Sequence, residues 1–222
     1  MTYNILIVDD HPLVIDTYKN LLSKVNIQGK KINIITSHNC ENAYKKIIIH
    51  IRQNISIDLA LLDINLPPYK EGNINNGIDL SLLLRKKIEN CKIFFITKQD
   101  QPLHIDKIIR EVNPEGFASQ KDINFKKLLI ICERIIIGEK FRSLTIVEIQ
   151  KELLKKKFNW DKYDNRIITL IYEGVKTMNL PNHIPLSMSA IEKRKAHIKS
   201  QLLLEKGNDR DLISKAKKLG LL

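Results

Sequence analysis

Short apolar runs alternate with longer stretches whose apolar residues recur at helical spacing, and this pattern holds to about residue 138. The runs predict strands near 3–8, 31–36, 58–63, 92–97 and 115–119. The periodic stretches predict helices near 12–25, 40–52, 77–89, 101–112 and 123–137, with Gly138 as the last stop. Strands separated by helices of this length pair in parallel through right-handed crossovers. The expected class is therefore α/β, a doubly wound (βα)5 parallel sheet with every strand carboxyl end on one edge.

Beyond Gly138 the pattern changes. Residues 139–159 are polar and helix-prone and read as a linker with a helix in it. From 160 to 222 strand signals vanish and four short helical segments take their place, an all-α domain. Asp161 caps the first, whose apolar stripe is Ile167, Ile168 and Ile171, and Gly174 ends it. A second surrounds Lys176 to Leu180, and Pro181 and Pro185 permit only a tight turn before Ser187. Ser187 then caps a helix over about 188–204, with Ile191, Ile198 and Leu202 on one face, flanked by Ser187 and Arg194. Ser189, Glu192, Lys193, Ala196, Lys199 and Ser200 face away from that stripe. Asn208 or Asp209 caps the last helix, through Leu219.

At 222 residues the chain can hold two domains with separate cores, 1–138 and 160–222. The formal charge is +12, and +8 of it falls after residue 138, so the helical part points to a polyanionic partner. Cys40, Cys91 and Cys132 lie in or beside apolar segments and read as reduced core thiols of a cytosolic protein. None of His11, His38, His50, His104, His183 and His197 has ligand spacing. Asp9 and Asp10 come too early for a signal core, and Glu133-Arg134 interrupts the most apolar later run, so neither secretion nor a membrane span is expected.

The chemistry concentrates on aspartates. Leu59 to Leu62 is a continuous apolar run that suits a central strand, and Pro67 and Pro68 stop the ladder beyond it. Asp63 then sits at the strand's carboxyl end, where open α/β sheets place their sites. Asp9 and Asp10 end the first strand in the same way. Three carboxylates held together repel, and a shared proton or a divalent cation such as Mg2+ relieves them. With the cation present, Asp63 could attack a phosphoryl donor and become an acyl phosphate, and the Thr97 hydroxyl could bond a phosphate oxygen.

These residues in register, Val8-Asp9-Asp10-His11-Pro12, Asp63 with Pro67, Gly77, Thr97 and Gly116-Phe117, resemble a response-regulator receiver domain. Ile184 to Arg194 and the ending Asp211 to Leu221 resemble a LuxR/FixJ-type helix-turn-helix domain. The resemblance implies phosphorylation of Asp63 by a partner histidine kinase, Mg2+ held by Asp9, Asp10, Asp63 and Asn65, and a switch through Thr97 and Phe117. It implies a cytoplasmic homodimer acting on double-stranded DNA, with no enzymatic activity beyond autocatalysed transfer to its own Asp63. Glu192, Lys193 and Ala196, with Ser189 and Ser200, are expected to face bases, whereas Lys176, Arg194, Lys195 and Lys199 suit phosphates. Tyr69 to Asn76 is an insert of the kind seen in one subgroup.

Two positions depart from the family pattern. Gln120 stands where the family has a lysine, with Lys121 one residue late, and Lys98 comes after Thr97 where a small residue is usual. Glutamine donates a hydrogen bond and carries no charge. Lys98 or Lys121 is expected to supply the missing cation; the alternative is a phosphorylation-independent DNA-binding regulator with a degenerate receiver.

Overall fold

The computed structural model describes residues 2–23, 26–98, 102–202, 204 and 207–222. Of the positions expected to be helical, 24–25, 101 and 203 lie outside the described residues. The chain divides into two compact units, Met1–Val147 and Glu148–Leu222.

In the first unit β1 (Thr2–Val8), β2 (Lys31–Ser37), β3 (Leu59–Leu62), β4 (Lys92–Thr97), β5 (Gly116–Ser119) and β6 (Phe141–Arg142) form one sheet. Its order is β2-β1-β3-β4-β5-β6 and every pairing is parallel. The helices are α1 (Pro12–Leu22), α2 (Cys40–Arg52), α3 (Gly77–Lys87), α4 (Pro102–Glu111) and α5 (Phe125–Ile136). Because strand side chains alternate between faces, Ile5, Ile7, Leu59, Leu61 and Phe94 share one core with Ile15 and Leu22 of α1 and with Leu128 and Ile135 of α5. Their neighbours Leu6, Val8, Ala60, Leu62 and Phe95 are buried as well, so both faces of the sheet are covered. Asn39 and Asn76 cap α2 and α3, each side chain accepting first-turn amides.

The class is the expected one with a strand more. Residues 139–159, expected to be only a linker with a helix, instead divide between the two units. Phe141–Arg142 pairs with β5, the Phe141 amide donating to the Glu115 carbonyl at 2.8 Å and the Ser143 amide to that of Phe117 at 3.1 Å. A two-residue strand is too short to show a period, and here the open edge of β5 recruits it. Helix α6 (Leu144–Lys157) begins at once.

In the second unit α7 (Lys162–Tyr172), a short 3-10 helix (Thr177–Asn182), α8 (Met188–Gln201) and α9 (Asp209–Lys218) enclose a core of Ile167, Ile171, Leu180, Ile191, Ile198 and Leu212. Trp160 belongs to that core, with its indole donating to the Gln201 side chain, and Leu154 and Phe158 pack against it. Asp161 caps α7 in a reciprocal box with Asp164, Ser187 caps α8, and Asn208, not Asp209, caps α9. Among the described residues no helix is long and apolar enough to cross a membrane.

Candidate functional site

Register brings the acids together. Val8 pairs with Leu62 and the Asp63 amide donates to the Val8 carbonyl at 2.9 Å, so Asp9 and Asp63 extend neighbouring strand ends on one edge of the sheet. Thr97 ends β4 beside them and is buried, its side chain hydrogen-bonding the Asp63 carboxylate. The Ile64 amide donates to Asp63 Oδ1 at 2.8 Å, which fixes the carboxylate's orientation.

Gly77 permits this strand end. A Cβ there would lie 1.9 Å from the Asp63 carbonyl oxygen, and the Gly77 amide donates to the Ile64 carbonyl at 2.9 Å. The insert closes above as a small antiparallel turn in which Tyr69 and Ile74 exchange backbone hydrogen bonds at 2.7 and 3.1 Å. Tyr69 rests against Tyr44 of α2 with ring centroids 5.5 Å apart.

Electrostatics reflect this crowding. Burial pushes the Asp63 carboxyl up to about 6, and the Asp9 and Asp10 charges add to the rise, against the Ile64 and Thr97 hydrogen bonds. Burial also raises Asp9, although contacts with His11 oppose it.

The tightest donor cluster differs from the expected one. Among the described residues, Asp9, Asp10 and His11 bring their ligand atoms within 4.8 Å of one another, and Asp63 does not join them at that distance. His11, which lacks any ligand spacing in the sequence, folds back from the start of α1. Its Nδ1 lies 2.6 Å from Asp10 Oδ1 and 3.2 Å from Asp9 Oδ1, and its amide donates to Asp9 at 2.9 Å. No spacing rule finds such a residue, because the contact is with its immediate neighbours. Asn65 is exposed on the loop after β3. Carboxylate oxygens with one imidazole beside them suit a hard divalent ion, which would also offset the burial that raises the Asp9 and Asp63 carboxyls.

The two departures separate in space. Lys98 Nζ approaches His11 Nε2 at 3.2 Å, which puts an ammonium at the rim of the acid cluster. Gln120 lies in a 3-10 turn (Gln120–Asp122) and lines a groove with Leu13, Val14, Thr17, Tyr18 and Ile123, and Lys121 is exposed on that turn. Phe117 is fully buried against Phe95, ring centroids 5.8 Å apart.

In the second unit Ser189, Glu192, Lys193, Ala196 and Ser200 are all exposed on α8, and so is His197, which carries no signal of its own in the sequence. Lys176 is exposed as well. Arg194 is not available as expected. Its guanidinium bonds Asp164 at 2.8 Å and Asp161 at 2.9 Å and covers the Tyr163 ring, tying α8 to the start of α7. Lys195 meets Asp209 at 2.5 Å and Thr177 at 2.6 Å, and Lys199 donates to the Gly207 carbonyl at 2.7 Å. All three sit toward the edge of the apolar stripe, where partners on neighbouring segments reach them. Arg194→Ala removes the ion-pair partner of the buried Asp164 carboxylate, leaving it, among the described residues, only the Asp161 amide, and is expected to lower the second unit's stability by about 2 kcal/mol in thermal unfolding. A residue that only touched phosphates would leave the melting point unchanged.

Comparisons with known proteins agree with this geometry. Residues 5–131 match the response regulator receiver domain family. The oxygen regulatory protein NreC of Staphylococcus haemolyticus is 22% identical over 213 residues, covering 90% of this chain and 91% of that one. The RcsB response regulator of Salmonella typhimurium shares the fold with a TM-score of 0.55 at 17% identity, covering 98% of both chains. A structure of two RcsB dimers bound to two parallel DNAs has a TM-score of 0.53 at 17% identity, again over 98% of both. With the matched segment spanning more than half of its length and the acids meeting at one sheet edge, the chain belongs to the response regulator receiver domain family.

Proposed function

We propose that this is a cytoplasmic transcriptional regulator of a phosphorelay, which accepts a phosphoryl group on Asp63 from a histidine kinase and binds double-stranded DNA as a homodimer through α8. The observation that carries the first half is the convergence of Asp9, Asp10 and Thr97 on Asp63 at adjacent parallel strand ends. With Oδ1 held by the Ile64 amide, the carboxylate is oriented for its attack on phosphorus. The new P–O bond forms as the P–N bond to the kinase imidazole breaks, and Thr97 is beside Asp63 to donate to a phosphoryl oxygen. Mg2+ held by Asp9 and Asp10, with Asp63 and Asn65 as its further ligands in this reading, would offset the phosphoryl charge. The protein catalyses no turnover beyond charging its own residue.

Lys98 takes the role of the missing lysine in this reading. It lies at the acid rim through His11, whereas Gln120 lines the groove beside α1. Intact mass after treatment with a small phosphodonor and Mg2+ should show one added phosphoryl group, absent in Asp63→Asn. Lys98→Ala should slow the labelling about tenfold, the ~1.4 kcal/mol expected of one partly screened charge contact. Lys121→Ala should label normally. The neutral, turned-away Gln120 favours one rival, a receiver that regulates without being charged; absence of label in the unaltered protein would establish it.

For DNA, the supporting observations are the exposed polar face of α8 and the DNA-bound RcsB dimers. Glu192, Lys193 and Ala196 are the base-facing residues in this reading, Glu192 accepting from cytosine and Lys193 donating to guanine, with Ser189, His197 and Ser200 beside them. Lys176 remains a phosphate contact, while Arg194, Lys195 and Lys199 are engaged within the unit. Binding to an operator selected from random sequence should weaken steeply with salt, and Lys176→Ala should flatten the slope of log affinity against log salt by about one unit. An unchanged slope would remove Lys176 from the interface.

A further inference from the structure

Ser143 and Asp122 sit where the end of β5 meets the start of α6. Ser143 is 4% exposed and occupies the N-cap position of α6, its carbonyl accepting from the Val147 amide at 3.0 Å. Its hydroxyl accepts from the Ser119 amide at 3.0 Å, and its own amide donates to the Phe117 carbonyl at 3.1 Å. Asp122, in the turn directly after β5, accepts from the Thr145 amide at 2.9 Å and from the Thr145 hydroxyl at 3.0 Å. Burial opposes the charged form of Asp122, yet hydrogen bonds from Ser143 and Thr145 hold its carboxyl below the usual range.

On the other side of the same strand, Ser119 is the register partner of Thr97 and Phe117 of Phe95. Thr97 in turn bonds Asp63. An unbroken series of direct contacts therefore runs from Asp63 through Thr97 and the ends of β4 and β5 to the first turn of α6. That helix runs on into the second unit, where Leu154 joins the helical core.

We infer that Ser143 and Asp122 form a clasp through which the state of the β4 and β5 ends is read at the first turn of α6. A change that draws Thr97 toward Asp63 moves Ser119, and Ser119 can move only by pulling on the Ser143 hydroxyl or releasing it. The Ser143 hydroxyl also bonds Asp122, whose carboxylate holds the Thr145 amide, so its release loosens the first turn of α6. In its signalling form this rests on the proposed charging of Asp63; the coupling itself does not.

Amide hydrogen exchange of residues 144–148 in the full chain tests it. The double variant Ser143→Ala, Asp122→Ala should exchange there about fivefold faster than the unaltered protein, the loss expected of one helix cap. Phosphodonor with Mg2+ should change the exchange of these amides in the unaltered protein and leave the double variant as it was, with Asp63 labelled equally in both. Thr97→Val, which removes the hydroxyl at constant shape, should also shift exchange at 144–148, without any phosphodonor. Label on Asp63 with no change at 144–148, or a double variant that still responds, overturns the clasp. If Asp63 takes no label but Thr97→Val shifts α6, the coupling stands and the phosphorelay reading falls. If Thr97→Val leaves 144–148 untouched, the coupling fails whatever Asp63 does.

Discussion

Replacing Asp63 by asparagine should stabilise the metal-free protein above pH 6, by about 2 kcal/mol, although the exchange removes the residue on which the site centres. The sign comes from the carboxyl's two pKa values. Unfolded, it gives up its proton near 3.8; folded, burial beside Asp9 and Asp10 delays this until about 6. Between those values the folded state binds more protons, so its stability falls as pH rises through the window and the penalty stays in full above it. Asparagine does not titrate. Urea unfolding of the two proteins should coincide near pH 4, diverge up to pH 6 and run parallel beyond, in favour of Asp63→Asn. Millimolar Mg2+ should narrow the gap at pH 7.5, because a cation among the acids restores the charged form. Coincident curves across the whole range would mean that Asp63 is solvated and free of its neighbours' charge.

Gly77→Ala should cost more, about 3 kcal/mol or above, and should abolish labelling of Asp63. The added methyl meets backbone: the Asp63 carbonyl oxygen at 1.9 Å, its carbon at 3.0 Å and Ile64 Cα at 3.2 Å. No side-chain rotation relieves such a contact, so β3's end and the start of α3 must separate, carrying Asp63 away from Asp9. Gly138→Ala is the control. Gly138 has φ +97° and open space around it, so alanine there suffers backbone strain alone, about 1 kcal/mol, far from the acids. Equal losses from the two variants would show that Gly77 serves conformational freedom, not close approach.

Much of this is legible in the chain. The central strands announce themselves because both faces of the sheet are buried there, so Leu59 to Leu62 has to be continuously apolar. Asp63 and Asp9 emerge by the same logic, as the first polar residues after such runs. The features that escape a linear reading depend on contacts between distant or irregular parts. β6 has two residues and exists because β5 offers an unpaired edge. Arg194 looks like a groove-facing cation in a Lys-Arg-Lys run, and only the folded unit reveals that Asp161 and Asp164 claim it. His11 has no second histidine at ligand spacing, and its partners are the acids just before it. Gln120 is recognisable as an odd residue, but not as one that turns toward α1.

Trp160 is the chain's sole tryptophan, and it lies in the helical unit's core with its indole bonded to Gln201. Its emission is thus a private reporter for that unit, silent about the sheet except through what the sheet transmits. A denaturation curve followed at tryptophan wavelengths isolates the melting of residues 148–222, while tyrosines, present in both units, record the sum. Any shift in tryptophan colour when the aspartate at β3 is loaded is, by that placement, a message that has crossed the chain.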